Sequence, residues 1–168
     1  ELRLRVRNAL QRVQSSPQLN PVTNLPEGTI VDERLSAALT GSEQWAMLLM
    51  TIRGLDRFRE LYGFVASDDV LRAMSLMSAN AVRDAGSDAD FIGHFAPHDF
   101  IICTTARSAN AIRARVETRL QQSMEYFYPI NARGEADPAK REHRLQLAIG
   151  QVDHSGGPFN DLEAIKTA

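Results

Sequence analysis

The sequence predicts an α/β chain of the α+β kind, a mostly antiparallel sheet flanked by helices, on three observations. Short apolar runs bounded by turn residues alternate with amphipathic stretches of helical period. Their order is strand, helices, strand, strand, helix, strand, and two of the strand-like runs are close enough to form a hairpin. This β-α-β-β-α-β order is the ferredoxin-like arrangement. The 168 residues, 43% apolar and 24% charged, suffice for one core, because a chain of this length buries roughly 70% of the surface it exposes when unfolded.

The elements follow from local pattern. Residues 1–15 read as a helix: Leu2, Val6, Ala9 and Val13 form one stripe at 4-3-4 spacing, and Arg3, Arg5, Arg7 and Arg12 point elsewhere. So short a helix is marginal alone in water. The stripe is therefore expected to pack on its own domain, on an upstream domain, or on a second copy. Residues 1–16 are taken as a signalling or linker helix and 17–168 as the domain. Pro17, Pro21 and Pro26 exclude a helix or central strand between them. Helix resumes near Glu27, with Ile30, Val31, Leu35, Ala38 and Leu39 on one face, and stops at Gly41. The run Trp45–Ile52 predicts a buried strand. A short helix near Asp56–Tyr62 and a longer one over Asp68–Asp84 follow. Ser67 or Asp68 is the expected N-cap of the second, and Val70, Leu71, Met74 and Met77 its apolar face.

Phe91–Phe95 and Phe100–Thr104 read as strands joined through Ala96-Pro97-His98-Asp99, a hairpin signal. Ser108–Met124 is an amphipathic helix, with Ile112, Val116 and Leu120 four residues apart. Tyr126–Arg144 is polar and carries proline and glycine, so an excursion or loop is expected. Leu145–Val152 is the last strand, and Gly156-Gly157-Pro158 breaks the chain before a short terminal helix from Asn160. Leu48, Ile101 and Ile149 are expected in the core.

Composition excludes several function classes. With 19 basic and 21 acidic residues, the chain lacks the positive excess that DNA or an anionic membrane surface requires. No apolar run approaches the roughly 20 residues of a membrane helix. The single cysteine, Cys103, excludes an intrachain disulfide and a Cys-rich zinc site, and its apolar strand suggests an inert core thiol. The first residue is Glu1 and not Met, which suggests a piece of a longer cytoplasmic chain. His94 and His98, with Asp99 adjacent, suit a transition metal chemically. Their spacing fixes no third or fourth ligand, so a strand histidine and a turn histidine are expected.

Three segments in this order resemble the GGDEF domain, the diguanylate cyclase family that joins two GTP molecules into cyclic di-GMP. Asn20-Pro21-Val22-Thr23-Asn24-Leu25-Pro26 is similar to that family's Asp-x-Leu-Thr-Gly-Leu-Pro. Gly54-Leu55-Asp56-Arg57-Phe58 is similar to its Asp-x-Asp-x-Phe. Asp90 to Phe100 resembles the stretch ending in Gly-Gly-Asp-Glu-Phe. The resemblance runs from about Asn20 to the C-terminus and implies the nucleotidyl-cyclase-palm arrangement of the same strand order. The opening Glu1 to Arg7 resembles the last helix of a response-regulator receiver domain.

The resemblance also implies what has been lost. Active members hold Mg²⁺ with two carboxylates, since that ion prefers hard oxygen ligands and neutralises charge in phosphoryl transfer. Here the first metal position is Gly54. The signature reads Ala96, Pro97, His98, Asp99 and Phe100, with His98 at an acidic position and Ala96-Pro97 replacing two glycines. The arginine before the signature is His94, and of the allosteric Arg-x-x-Asp only Asp90 remains. Asp56 and Asp68 are the residues left to meet a guanine nucleotide, Asp68 more readily as a helix cap. The expectation is a degenerate, catalytically silent domain in a bacterial signal-transduction protein. It would act through dimerisation or docking, with an upstream receiver or sensor domain as partner; the alternatives are a regulatory module that binds GTP or cyclic di-GMP without turnover, and a residual diguanylate cyclase. No cofactor is expected, and Mg²⁺ enters only if a guanine nucleotide still binds.

Overall fold

The chain's longest apolar run becomes the central strand of a four-stranded sheet. The structure, a computed structural model, describes residues 19–134 and 144–157. Its elements are α1 (Thr29–Thr40), β1 (Trp45–Arg53), α2 (Leu55–Ala85), β2 (Phe91–Ala96), β3 (Asp99–Thr105), α3 (Ala106–Ser123) and β4 (Gln146–Asp153). The sheet order is β2-β3-β1-β4, and every neighbouring pair is antiparallel.

Both faces of β1 are covered, which is why its sequence shows no polar alternation. Ala46, Leu48, Met50 and Ile52 join Phe100 and Ile102 of β3 in the larger core. Val70, Leu71 and Met74 of α2 and Ile112, Val116 and Leu120 of α3 close that core. On the opposite face Trp45, Met47 and Ile101 meet Val31 and Leu35 of α1. Leu49 lies on this second face and is 41% exposed, so α1 leaves that part of the sheet uncovered.

The structure corrects four expectations. The two expected central helices are present, run together across a kink at Gly63, whose φ of 87° and ψ of 170° suit glycine; what changes is where the second begins. Ser67 and Asp68 therefore lie inside the second helical stretch and cap nothing; Ser67 is fully buried. Ile149 is only partly buried, because β4 is an edge strand. The hairpin turn is tighter than expected, with Pro97 and His98 alone between the strands and a register shift between His94 and Ala96. Lastly, the excursion after α3 is anchored over its described part. Short 3₁₀ turns span Met124–Phe127 and Ile130–Ala132. Tyr128 meets the rings of Phe58 and Tyr62 edge-on at 5.2 and 5.7 Å. Arg144 lies 3.8 Å from its ring centre, and its hydroxyl accepts a 2.8 Å bond from Leu145 N–H.

The expected N-terminal helix with Leu2, Val6, Ala9 and Val13, and the terminal helix from Asn160, lie outside the described residues. Among the described residues no helix is long and apolar enough to cross a membrane.

Candidate functional site

Antiparallel pairing of β1 with β3 sets Thr51 opposite Asp99, which brings the β2–β3 turn beside the end of β1. The chain then reverses at Gly54 (φ 80°, ψ 1°), a conformation that glycine adopts without strain, and enters α2. Between these segments lies a cavity of about 450 Å³. Arg53, Gly54, Asp56 and Arg57 line one side; Ala96 to Asp99 line the other. The structure therefore gathers Gly54, Asp56 and four of the five signature-like residues. The fifth, Phe100, is fully buried in the core, and Asp68 is not on the cavity wall.

The charges around this cavity are largely spoken for. Arg57 pairs with Glu60 at 2.8 Å. Asp56, with 80% of its side chain exposed, lies 3.6 Å from Arg59. Arg59 Nε donates to Ser67 Oγ at 3.1 Å, bridging the interruption at Gly63, and its Nη2 lies 2.7 Å from His98 Nε2. A guanidinium only donates, so His98 Nε2 is the acceptor. Asp68 is 4.0 Å from Arg72. No sequence pattern pointed to Arg53 or Arg59: each takes its place from where β1 ends and where α2 breaks.

His94 is buried at 2% exposure and ties the segment before α1 to β2. Its backbone N–H donates to Pro26 O at 2.7 Å. Its Nδ1 lies 3.3 Å from Ala96 O and its Nε2 2.6 Å from Thr23 Oγ1. A carbonyl only accepts, so Nδ1 carries the proton and Nε2 accepts from the threonine hydroxyl. The approach is close enough that a Cβ on Gly93 would fall 2.9 Å from Pro26 O. Burial holds the His94 imidazole below its ordinary proton affinity, against smaller opposing effects from the Ala96 carbonyl and Glu27.

The unfolded chain therefore takes up this proton more readily than the folded one. The contribution of His94 to stability is complete above about pH 6.5 and declines as pH falls below it, toward the lower folded value. Urea unfolding of the wild type should show that acid loss, and His94→Gln should flatten it; equal slopes would contradict the assignment.

Cys103 is partly buried, and burial pushes its thiol up to about 11, with Asp90 adding to the shift and Arg34 opposing it. This agrees with an inert thiol. A second cavity of about 360 Å³ lies at the other end of the sheet, between α1 and the strands, with Arg34, Asp90 and Cys103 on its wall. Asp90 is engaged locally, accepting from Ser87 N–H at 2.9 Å and Ser87 Oγ at 3.2 Å. Among the described residues no three His, Cys, Asp or Glu side chains are grouped to hold a metal ion.

No family model matches the chain, and no curated protein matches it in sequence. Solved structures do match in three dimensions. The diguanylate cyclase SiaD from Pseudomonas aeruginosa, solved in complex with its activator SiaC, superposes with a TM-score of 0.67 at 12% identity. That match covers 99% of this chain and 60% of the SiaD chain. The GGDEF domain of DgcB from Caulobacter crescentus, solved with c-di-GMP, gives 0.63 at 11% identity over 90% of this chain and 85% of that one. The isolated GGDEF domain of YfiN from Pseudomonas aeruginosa gives 0.57 at 21% identity over 83% and 77%. The chain has the fold of these GGDEF domains.

Proposed function

We propose that this chain is a GGDEF-family signalling domain without a catalytic metal centre, acting through dimerisation or protein docking. The observation that carries the reading is the composition of the cavity at the end of β1. Two arginines, Arg53 and Arg57, line it together with Asp56 and Asp99. Asp56 is largely exposed and lies beside Arg59, and His98 is taken by that same arginine. Mg²⁺ prefers several hard oxygen ligands in octahedral geometry. This donor set does not suit it.

Docking agrees with the structure of SiaD held by its activator protein. The proposed coupling element is the stripe Leu2, Val6, Ala9 and Val13, which would join an upstream receiver or sensor domain to this one or pair two copies. Light scattering should then show concentration-dependent self-association that Val6→Glu weakens; one monomer mass for both proteins would remove the stripe from the proposal. A second reading, a guanine-nucleotide-binding module without turnover, is favoured by the cavity itself and its two remaining carboxylates, Asp56 and Asp99. Calorimetry with GTP and with cyclic di-GMP, with and without Mg²⁺, separates binding from docking alone.

No cyclic di-GMP is expected from GTP and Mg²⁺. The double variant Gly54→Asp/His98→Asp should also fail. It restores carboxylates, but Ala96-Pro97 still adds bulk and removes an amide donor from the turn, and Gly54 holds a positive φ that costs a side chain roughly 1–2 kcal/mol. Product formation above a no-protein blank by the wild type would overturn the catalytic part of the proposal.

A further inference from the structure

We infer that the outer edge of β4 pairs with β4 of a second copy of this chain, joining two sheets antiparallel into one. The inference rests on the dimerisation reading above, but it uses a different surface from the stripe Leu2, Val6, Ala9 and Val13. The two sides of the sheet are finished differently. β2 closes one side and β4 the other, and among the described residues no strand lies beyond either. An edge strand offers a row of backbone N–H and C=O groups that another strand can take up. Proteins guard such an edge with bulges, prolines, charged side chains or a covering segment.

β2 carries several of these guards. It is six residues long, its register shifts between His94 and Ala96, and Pro97 follows it at once. The segment before α1 lies along its open side: Pro26 O accepts from His94 N–H at 2.7 Å, and a Cβ on Gly93 would fall 2.9 Å from that same oxygen. Among the described residues β4 shows none of them. Its eight residues pair with β1 without a register shift, from Arg53 opposite Gln146 to Ala46 opposite Asp153. Residues 146–152 include no proline and no charged side chain. Antiparallel pairing uses the backbone groups of alternate residues, so bonding to β1 leaves those of the intervening residues aimed outward. Gly150 is exposed, and a Cβ there would meet nothing within 4 Å.

A second copy fits because the strand matches itself. A two-fold axis at Ile149 sets Ile149 opposite Ile149, Leu147 opposite Gln151 and Ala148 opposite Gly150, with every side chain kept on its own face of the joined sheet. Asp153, the one charged residue of the strand, then falls beyond Gln146 of the other copy, so no like charges stand opposed. Its carboxylate is turned to Ser155, accepting from that N–H at 2.9 Å. The pairing also bears on function. Thr51, Ile52 and Arg53 line the cavity and pair with residues 148 to 146, so each cavity lies at the Gln146 end of its own β4. Antiparallel pairing places the two cavities at opposite ends of the joined sheet. Such a dimer does not bring two bound nucleotides into contact, in keeping with a domain that signals without catalysis.

Light scattering and backbone amide exchange on the full chain test this, with Val6→Glu used to remove the stripe. In the Val6→Glu chain the mass should still rise toward a dimer with concentration, and protection should rise with it at alternate amides from Gln146 to Val152. Adding Gly150→Lys puts like charges beside the seam and should weaken association roughly tenfold. Gly150→Thr, uncharged and suited to a strand, should keep it. Gly150 holds no positive φ and has open space beside it, so either side chain fits. Association that Val6→Glu abolishes and Gly150→Lys alone leaves untouched would overturn the edge inference and leave the stripe in place. Protection of β4 amides that does not change with concentration would overturn it directly. A single monomer mass for the wild type at every concentration would remove this inference and the dimerisation reading together.

Discussion

Phe58→Ala is expected to lower the unfolding free energy by about 3–5 kcal/mol, the range for deleting a buried aromatic ring. Phe58 is 2% exposed and does more than fill volume. Its ring lies 4.8 Å from that of Tyr62 and meets Tyr128 edge-on at 5.2 Å. Tyr128 in turn carries Arg144 on its face and accepts from Leu145 N–H at the start of the last strand. Removing the ring leaves a cavity under the segment that returns the chain from α3 to β4. Urea denaturation should show the loss as a lower midpoint at unchanged slope. A loss under about 0.5 kcal/mol, the usual surface range, would mean that the ring is not where the fold needs it.

Ile101→Ala is expected to cost roughly 2–5 kcal/mol. Ile101 is 2% exposed and sits in the smaller cluster, on the face of the sheet that α1 covers with Val31 and Leu35. Phe58 and Ile101 therefore probe opposite faces of one sheet. If Ile101→Ala falls within about 0.5 kcal/mol of wild type while Phe58→Ala does not, α1 contributes little to the cooperative core.

Much of the fold was legible in the sequence because its signals are local. The run Trp45–Ile52, apolar but for Thr51, announces a strand buried on both faces, and the four-residue spacing of Ile112, Val116 and Leu120 announces a helix with one apolar side. The interruption after Tyr62 was also legible, but its brevity was not. Ser67 and Asp68 are good caps by residue type, and Gly63 is only one glycine among several. Long-range packing decided between them, since Ser67 lies under the Arg59 guanidinium and is fully buried. Ile149 misled for a related reason: its apolar character marks a strand and says nothing about whether that strand is central or at an edge.

The same division holds for the candidate site. By itself the sequence determined which chemical groups are present: no carboxylate at position 54, a proline and a histidine in the β2–β3 turn, and carboxylates at Asp56 and Asp99. Those are facts of covalent identity, and they limit what chemistry any fold of the chain can offer. Only the tertiary structure decided what the groups do to one another. Strand pairing places residues 51 and 99, 48 positions apart in the chain, side by side, and the α2 interruption turns Arg59 toward Ser67 and His98, 8 and 39 residues away. The physical reason is that hydrogen bonds and ion pairs depend on distances of a few ångströms. Periodicity and turn chemistry set such distances only between neighbours a turn or a pleat apart; between distant segments the packing of the sheet and helices sets them.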